Sequence, residues 1–335
     1  MNCANACRQG ISLIIRLSWI GLVVAACNRP QPTLAPLPTS APATATATLP
    51  PPAAWQTPSH AATEISPPSQ GAIVYTCQLH ADSLRNQICW IQPDGSGQQR
   101  LTTDDSADHF YPSWAPDRAS VVYSANPAGP HEIYEHRLGG APIRLTTLGE
   151  AFAPAISPDG GLIAFTHIPP TGAELWLMNR NGSNPRRLID DGWDATWSPD
   201  GAWILHASER DGTIQLWRTR PDGSQLEQVT QLEGLRGRND WSGDGAWLAT
   251  YAGGPWTREI LVFNPAGGDM VQVTAGGNNL APSFSPDGAW IAYTSYVDRF
   301  GDENGCEIYV LHWDTGVRFR LTDNEYCDWQ PRWGP

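Results

Sequence analysis

The segment Trp197-Ser-Pro-Asp-Gly201, followed by an apolar run at residues 203–205, is one copy of a motif that recurs along the chain. In each copy a bulky apolar residue precedes a Ser-Pro-Asp-Gly turn or a near variant of it. The copies begin at Trp114, Ile156, Trp197, Trp241 and Phe284, spaced 42, 41, 44 and 43 residues apart, and Trp333 follows the last by 49. A period of about 40 residues is typical of propeller blades and related repeats.

Each period has the same internal order of short β-type runs. An apolar run follows the Asp-Gly turn, and then come a variable loop, a second apolar run, a second turn such as Pro221-Asp-Gly223, and a Leu-Thr pair such as Leu145-Thr146. Asp-Gly between two such runs predicts a hairpin, because glycine adopts positive φ and the aspartate accepts a backbone N–H of the turn. Four short strands per period predict one four-stranded propeller blade.

The two ends of the repeat region complete one blade between them. Residues 72–77, 88–92 and 98–102 supply a second, third and fourth strand, whereas residues 330–333 supply a first strand with no partner after it. Joining the two ends gives six complete blades and leaves no free sheet edge at the seam. The predicted fold class is therefore an all-β, six-bladed β-propeller at residues 71–335 with a Velcro-type closure.

These repeats resemble the SPDG repeats of the TolB family, whose pattern runs P-x-W-S-P-D-G, I-A-F-x-S, I-Y, D-G and L-T. The resemblance covers residues 71–335 and implies the propeller fold. It implies no single function, since similar repeats occur in envelope scaffolds, in peptidases as an added domain and in sugar-acid lyases. Arg118 stands where the pattern has glycine, and Gly243 where it has proline. A proline-rich segment stands in place of the helical N-terminal domain of the TolB protein.

Residues 1–26 have the features of a secretory signal peptide. Two arginines and no acidic residue lie in residues 1–16, and an apolar run follows at residues 17–26. That run rises about 15 Å as a helix, too short for a hydrocarbon core of about 30 Å. Val24-Ala-Ala-Cys27 resembles the lipobox of bacterial lipoproteins, which implies that Cys27 carries the lipid. The alternative is an ordinary signal peptide with an incidental cysteine.

Residues 27–70 are rich in Pro, Ala, Thr and Ser and carry almost no charge. Such a segment buries little apolar surface, so its composition predicts a disordered linker. Together with the lipobox, it predicts an exported protein held by a lipid on the cell membrane or outer membrane. The propeller would then face the periplasm or the exterior.

The charge composition excludes several classes of function. The net charge is −13, which opposes binding to the phosphates of nucleic acids. The chain contains no lysine, so it has neither a Schiff-base lysine nor a Walker-type phosphate lysine.

Four cysteines lie in the repeat region. Cys77 and Cys89 flank one loop of the first blade, and Cys306 and Cys327 both lie in the last blade. An exported chain meets an oxidising environment, and two local disulfides are the simplest of the three pairings. The alternative is four buried free thiols.

The variable loops and the blade-to-blade crossovers are expected to share one face, opposite the short hairpin turns. Aromatic, arginine and acidic residues are concentrated in the crossovers, and this mixture suits a peptide, protein or glycan partner. We interpret Phe152 as packing between blades. The predicted binding rim around the channel consists of His109, Phe110, Tyr111, Trp193, Asp194, Arg236, Arg238, Asn279, Asp328 and Trp329.

No Gly-x-Ser-x-Gly, His-Glu-x-x-His or Cys-x-x-Cys motif is present, and we predict no catalytic residue and no cofactor. The sequence therefore favours a monomeric, lipid-anchored envelope protein that binds an envelope protein, a peptide or a cell-wall glycan. The alternative is a metal-dependent lyase or hydrolase acting on sugar-acid or peptide substrates. In that alternative the metal would be bound by His80, His109, His131 and His167, for which the sequence gives only a weak signal. The loop at residues 298–305 is interpreted as an acidic loop rather than a Ca²⁺ site.

Overall fold

The computed structural model describes residues 65–78, 85–127, 129–267, 270–302 and 305–334. The described residues form 24 strands and no helix, in six four-stranded sheets. None of their elements is a helix that could span a membrane. The predicted signal peptide, Cys27, His80 and most of the linker lie outside these residues.

The six sheets are the predicted blades, and in each blade the first-named strand is the innermost and the last-named the outermost. Blade 1 contains β24 (Trp329–Gly334), β1 (Ala72–Cys77), β2 (Gln87–Ile91) and β3 (Gln99–Arg100). Blade 2 contains β4 (His109–Trp114), β5 (Ser120–Ala125), β6 (Glu132–Arg137) and β7 (Pro142–Arg144). Blade 3 contains β8 (Ala151–Ile156), β9 (Leu162–His167), β10 (Glu174–Asn179) and β11 (Arg186–Ile189).

The remaining three blades have the same antiparallel order. Blade 4 contains β12 (Trp193–Trp197), β13 (Ile204–Ser208), β14 (Gln215–Thr219) and β15 (Glu227–Gln228). Blade 5 contains β16 (Asp240–Trp241), β17 (Leu248–Ala252), β18 (Glu259–Phe263) and β19 (Met270–Gln272). Blade 6 contains β20 (Asn279–Phe284), β21 (Trp290–Ser295), β22 (Glu307–His312) and β23 (Arg318–Arg320).

The first strands of the blades form a closed inner ring. Each contacts the first strand of the next blade, in the order β4, β8, β12, β16, β20, β24 and back to β4. The ring closes within blade 1, where β24 pairs with β1 in a register that places Ile73 opposite Trp333. Blade 2 therefore lies across the ring from blade 5.

The hydrophobic core lies between the blades rather than at one centre. Six clusters of buried residues each join two neighbouring blades, so that every blade-to-blade interface has its own cluster. Most leading residues of the repeat are buried in these interfaces, including Trp197, Trp241 and Phe284. Strands β1 and β21 are buried along their whole length because blades cover both faces. This explains why they are almost continuously apolar.

The Ser-Pro-Asp-Gly segments form one repeated hydrogen-bonded turn. In blade 3, Ser157 Oγ donates to Asp159 Oδ1 at 2.6 Å and accepts the N–H of Leu162 at 2.9 Å. Asp159 Oδ1 also accepts the N–H of Gly161 at 3.0 Å. These bonds favour the ionised carboxylate and lower the pKa of Asp159. Blades 4, 5 and 6 repeat the serine–aspartate bond.

The two departures from the motif have different structural consequences. Arg118 takes φ of +58°, the left-handed conformation that the corresponding glycines of the other turns adopt without a Cβ penalty. Gly243 instead permits a close approach, since a Cβ there would lie 2.4 Å from the Pro286 carbonyl oxygen of blade 6. Proline at this position would collide with the neighbouring turn.

Both predicted disulfides are confirmed. Cys77–Cys89 joins β1 to β2, with Cα atoms 5.8 Å apart. Cys306–Cys327 joins the start of β22 to the crossover that leads into β24, with Cα atoms 4.5 Å apart. Both disulfides lie at the face of the ring that carries the variable loops.

The candidate binding face and the mouth of the channel

The propeller has two chemically different faces, and only one of them varies from blade to blade. The turns between first and second strands, and between third and fourth strands, lie on the hairpin-turn face. The loops between second and third strands lie on the opposite face, together with the crossovers that lead into each first strand. We call this second surface the crossover face. Binding residues of propellers lie on such loops because the rigid blades hold them in place.

One position in each repeat, three residues before the leading residue, lies on the inner strand at the channel mouth. We call this set the channel ring, and it consists of Tyr111, Ala153, Asp194, Arg238, Ala281 and Gln330. All except Arg238 adopt positive φ, between 49° and 56°. A break in strand register accompanies the position in these blades, as expected for a β-bulge. A bulge re-aims a side chain, here toward the channel.

Arg238 reaches across the channel. It belongs to blade 5, yet its Cζ lies 5.4 Å from the centre of the Tyr111 ring in blade 2, on the opposite side of the ring. Arg238 is only 4% exposed, and its Nε has no hydrogen-bond partner among the described residues. Burial and the nearby Arg332 lower the pKa of Arg238 to about 10, and the charge of Asp194 opposes this shift. Arg238 therefore remains charged at neutral pH.

Asp194 faces the same space from blade 4. Burial raises the pKa of its carboxyl group, and the charges of Arg238 and Arg332 act in the opposite direction. The carboxylate of Asp194 forms no ion pair within 4.0 Å in the described part of the chain. Leaving a buried guanidinium without a close counter-charge costs on the order of several kcal/mol. The mouth of the channel thus has an unsatisfied cation.

A second layer, further along the inner strands, is fully paired. Arg332 Nη1 lies 3.3 Å from Asp240 Oδ1 and donates to the Asn239 carbonyl oxygen at 3.0 Å. The other oxygen of Asp240 accepts bonds from Ser283 Oγ at 2.7 Å and the Phe284 N–H at 2.9 Å. This layer links blades 1, 5 and 6, and its two charges neutralise each other.

Two more arginines interact with the same tyrosine as Arg238, namely Tyr251, and together with Arg238 they form the arginine cluster, defined as Arg236, Arg238 and Arg258. Arg236 Nε donates to the Gly253 carbonyl oxygen at 2.9 Å, whereas Arg258 Nε has no partner among the described residues. Burial and the charge of Arg258 lower the pKa of Arg236. Tyr251 lies among the three, and burial raises the pKa of its hydroxyl group. No carboxylate of the described chain pairs with the cluster within 4.0 Å.

Aromatic side chains continue from the channel mouth over the crossover face. Phe110 lies edge-on to Trp329 at 5.8 Å and beside His131 at 5.6 Å, and His131 contacts Phe152 at 4.7 Å. On the side of blades 5 and 6, Trp256 contacts Tyr296 at 5.2 Å and Phe300 at 5.9 Å. We call this set the aromatic band, defined as Phe110, His131, Phe152, Trp256, Tyr296, Phe300 and Trp329. Tyr296 and Trp329 are buried, whereas the other five are partly or fully exposed.

The structure divides the predicted binding rim into exposed and buried members. Phe110, Tyr111, Asp194 and Arg236 are partly exposed at the channel mouth or beside it. Arg238 is buried but projects into the channel. The other five are buried at the base of the loops: His109, Trp193, Asn279, Asp328 and Trp329.

The buried members support the loops. His109 Nδ1 lies 3.3 Å from the Asn86 carbonyl oxygen, and Trp193 packs in the cluster between blades 4 and 5. Asn279 donates to Glu259 Oε2 at 2.7 Å and accepts from Ser295 Oγ at 2.6 Å. Asp328 accepts from Asn324 Nδ2 at 2.8 Å. Their crossover positions predicted nearness to the channel but not side-chain direction.

The candidate metal ligands are not brought together where the structure describes them. His131 packs between Phe110 and Phe152, whereas His167 lies 3.6 Å from Glu174 in blade 3. Among the described ranges, no group of three or more His, Cys, Asp or Glu side chains is arranged to hold a metal ion. In the acidic loop, Asp298 pairs with Arg320 at 3.1 Å.

Several residues of this surface were missed by the sequence reasoning, namely Tyr251, Trp256, Arg258, Phe300, Gln330 and Arg332. Aligning the repeats on their leading residues would have revealed Gln330, because it occupies the channel-ring position. No such signal marks Trp256 and Phe300, which lie in loops that differ in length between blades.

The closed ring of six four-stranded blades with SPDG turns defines a β-propeller. A family model described as "TolB beta propeller domain" matches residues 73–335. The chain belongs to the TolB beta propeller domain family. Its fold is similar to that of TolB from Acinetobacter baumannii, with a TM-score of 0.69 and 23% identity, over 79% of this chain and 67% of that one.

The curated relatives match this chain over less than a third of their own length. The Tol-Pal system protein TolB of Anaeromyxobacter dehalogenans is 33% identical over 29% of this chain and 23% of its own. The uncharacterized peptidase YuxL of Bacillus subtilis is 26% identical over 60% of this chain and 31% of its own. The structure of puromycin hydrolase is similar in fold, with a TM-score of 0.53 and 18% identity over 75% of this chain and 44% of that one. The chain thus spans less than a third of these two curated relatives.

Proposed function

We propose that this protein is an exported, lipid-anchored propeller that binds a protein or peptide on its crossover face. The observation that carries the proposal is the aromatic band beside the arginine cluster. Interfaces between proteins are enriched in aromatic residues and arginine. The hairpin-turn face instead repeats the same short turn in most blades.

The exposure of Phe300 and the backbone conformation of Trp256 support a binding role for the aromatic band. Phe300 is 59% exposed, although water is a poor environment for a phenyl ring. Trp256 has φ of +66°, an unfavourable conformation for a bulky residue. The tight loop around it explains how this conformation is held, since Thr257 N–H donates to the Gly254 carbonyl oxygen at 3.1 Å. Strained residues of this kind are concentrated at functional sites.

The two disulfides support export, because such bonds persist in oxidising compartments. The proposal therefore includes a signal peptide at residues 1–26, lipid on Cys27 and a linker at residues 27–70. Labelling cells with a clickable fatty acid should tag the protein, and the tag should be lost in Cys27→Ser. A tag that survives this substitution would exclude Cys27 as the lipid site.

A photo-crosslinking amino acid tests the binding face directly. Placed at Phe300 in the full chain within its native host, it should give a discrete crosslinked adduct. The matched control is the same amino acid at Ala202, in a turn of the hairpin-turn face, where we expect no adduct. Equal adducts at both positions, or an adduct at Ala202 alone, would contradict binding on the crossover face.

Catalysis is not favoured by a specific observation. The peptidase and hydrolase relatives match this chain over a minority of their own length. In the part of the chain that the structure describes, no metal-binding group is present. We propose binding because the aromatic band and the arginine cluster favour it.

A further inference from the structure

We propose that the mouth of the central channel is a binding site for a carboxylate group, with Arg238 as its principal donor. The proposal deepens the proposed function and rests on it for the nature of the partner. The site itself concerns a single chemical group and can be tested with small molecules.

Arg238 has hydrogen-bond donors that no described residue satisfies. A guanidinium group has five N–H donors in a planar fork and accepts no bond. Arg238 is 4% exposed, its Nε has no partner, and its side chain donates no hydrogen bond to another described residue. Buried donors in proteins are nearly always satisfied, so an unsatisfied one aimed into a channel indicates a ligand.

The local charge also indicates a ligand. The protein as a whole carries a net charge of −13, so isolated cations are expected to find acidic partners. At the channel mouth, however, the three residues of the arginine cluster have no acidic partner within 4.0 Å among the described residues. The nearby pair of Arg332 and Asp240 is already neutral. Asp194, which faces the same space but forms no ion pair within 4.0 Å, offsets one of the three charges of the arginine cluster. The remaining excess of positive charge attracts an anion.

The geometry at the guanidinium group identifies the class of anion. Tyr111 covers one face of the Arg238 guanidinium, with Cζ at 5.4 Å from the ring centre, and the N–H donors lie along the planar edge rather than on that face. A planar edge matches the two oxygens of a carboxylate in a bidentate arrangement. Asp194 faces the same space, and its negative charge opposes a doubly charged phosphate more strongly than a singly charged carboxylate.

The position of the site suggests how a partner uses it. The aromatic band reaches the channel mouth through Phe110, which contacts both Tyr111 and Trp329. A peptide segment on the band would bring either its C-terminal carboxylate or an acidic side chain to Arg238. A C-terminal carboxylate and a side-chain carboxylate would bind Arg238 in the same way, and probes that carry only one of the two distinguish them.

The experiment is calorimetric titration of the purified full chain with three matched probes. N-acetylphenylalanine presents a main-chain carboxylate, its amide presents none, and N-acetylaspartate α-amide presents only a side-chain carboxylate. We expect at least one carboxylate probe to bind about tenfold or more tightly than the neutral amide, as for a hydrogen bond to a charged group. The tighter of the two carboxylates identifies the source.

Arg238→Gln should remove this preference, and Arg238→Lys should weaken it, because lysine keeps the charge but lacks the planar fork. The control is Arg218→Gln, which breaks an exposed ion pair with Glu227 in the outer part of blade 4 and should leave the preference unchanged. Equal binding of the carboxylates and the amide, or an unchanged preference in Arg238→Gln, would overturn the proposal. Tighter binding of inorganic phosphate than of acetate would overturn its assignment to carboxylates.

A second readout does not depend on any ligand. Because the guanidinium is unsatisfied in the free protein, Arg238→Gln should unfold at the same temperature as the wild type or at a higher one. A large decrease in melting temperature would show that Arg238 is structural and would contradict the proposal. If the site binds the probes but crosslinking at Phe300 fails, the carboxylate site stands and the proposed protein-binding function does not.

Discussion

The hairpin-turn face and the crossover face are built from the same six blades, yet they differ in what is repeated. On the hairpin-turn face, blades 3 to 6 carry one serine–aspartate turn with the same hydrogen bonds. On the crossover face, the channel ring places tyrosine, alanine, aspartate, arginine and glutamine at equivalent positions. The residues that repeat from blade to blade therefore specify the fold, whereas the positions that vary between blades carry the side chains suited to binding.

Removing the closing strand should have the largest effect, because both faces depend on a closed ring. Deleting residues 329–335 removes the partner of β1, a strand buried along its whole length. It also exposes the clusters on both sides of blade 1. We expect loss of cooperative unfolding in calorimetry, or aggregation.

The control for this deletion is removal of residues 28–64, which we predict to be linker and which should leave the melting temperature unchanged. A deletion of residues 329–335 that melts like the wild type would show that β24 is not needed to close the ring.

Loss of the disulfides, both of which lie at the crossover face, should have the second largest effect on the stability of the protein. Cys77–Cys89 and Cys306–Cys327 close loops of 12 and 21 residues, for which chain entropy predicts about 3 kcal/mol each. A reducing agent should therefore lower the melting temperature of the wild type by several degrees. The variant with serine at all four positions should melt at the reduced temperature and be insensitive to the reductant. Equal melting of the oxidised and reduced wild type would contradict this prediction.

His206 should make the protein sensitive to mild acid. It is fully buried beneath the crossover at Gly192, and burial lowers its pKa to about 3. Since the unfolded chain binds the proton with a pKa of about 6.5, stability is complete above that pH and is lost as the pH falls toward 3. At a pH two units below the unfolded value, the loss is about 2 to 3 kcal/mol.

Other blades carry aromatic residues at the position of His206, as Phe165 in blade 3 and Tyr293 in blade 6 illustrate. His206→Phe should therefore fold and lose the larger part of the acid sensitivity between pH 6.5 and 4.5 in urea unfolding. His109 and His131, whose pKa values burial also lowers, should account for the part that remains. The pKa values of the turn aspartates are lowered in the folded protein, so their contribution to stability is lost only as the pH falls below about 4, the pKa of an unfolded aspartate. A wild type whose stability is constant between those pH values would contradict the burial of a neutral histidine.

The smallest expected effect concerns the one turn that departs from glycine. Arg118→Gly should raise the free energy of unfolding by up to about 1 kcal/mol, because it relieves the positive φ. Arg137→Gly, at the end of β6 where φ is not positive, should not stabilise the protein. Urea unfolding of both variants measures the difference, and a destabilised Arg118→Gly would show that the side chain offsets its own strain.

The repeat motif predicted the number of blades, the order of their strands and both disulfides. Each of these depends on local chemistry or on short sequence separation: an Asp-Gly turn, an apolar run, or two cysteines in one blade. The binding rim was harder to predict, as Trp193 and Asn279 illustrate. Each is the first residue of an inner strand, directly after a crossover, but its side chain is buried between two blades instead of facing the channel.

By itself, the amino-acid sequence determined the blade, because each turn and hairpin forms from residues that are close along the chain. Only the tertiary structure decided that Arg238 of blade 5 meets Tyr111 of blade 2 across the channel. That contact requires all six blades to close into a ring, so that residues far apart along the chain share one axis. On the side of blade 2, it also required the bulge in β4 at Tyr111, whose backbone adopts φ of +54°.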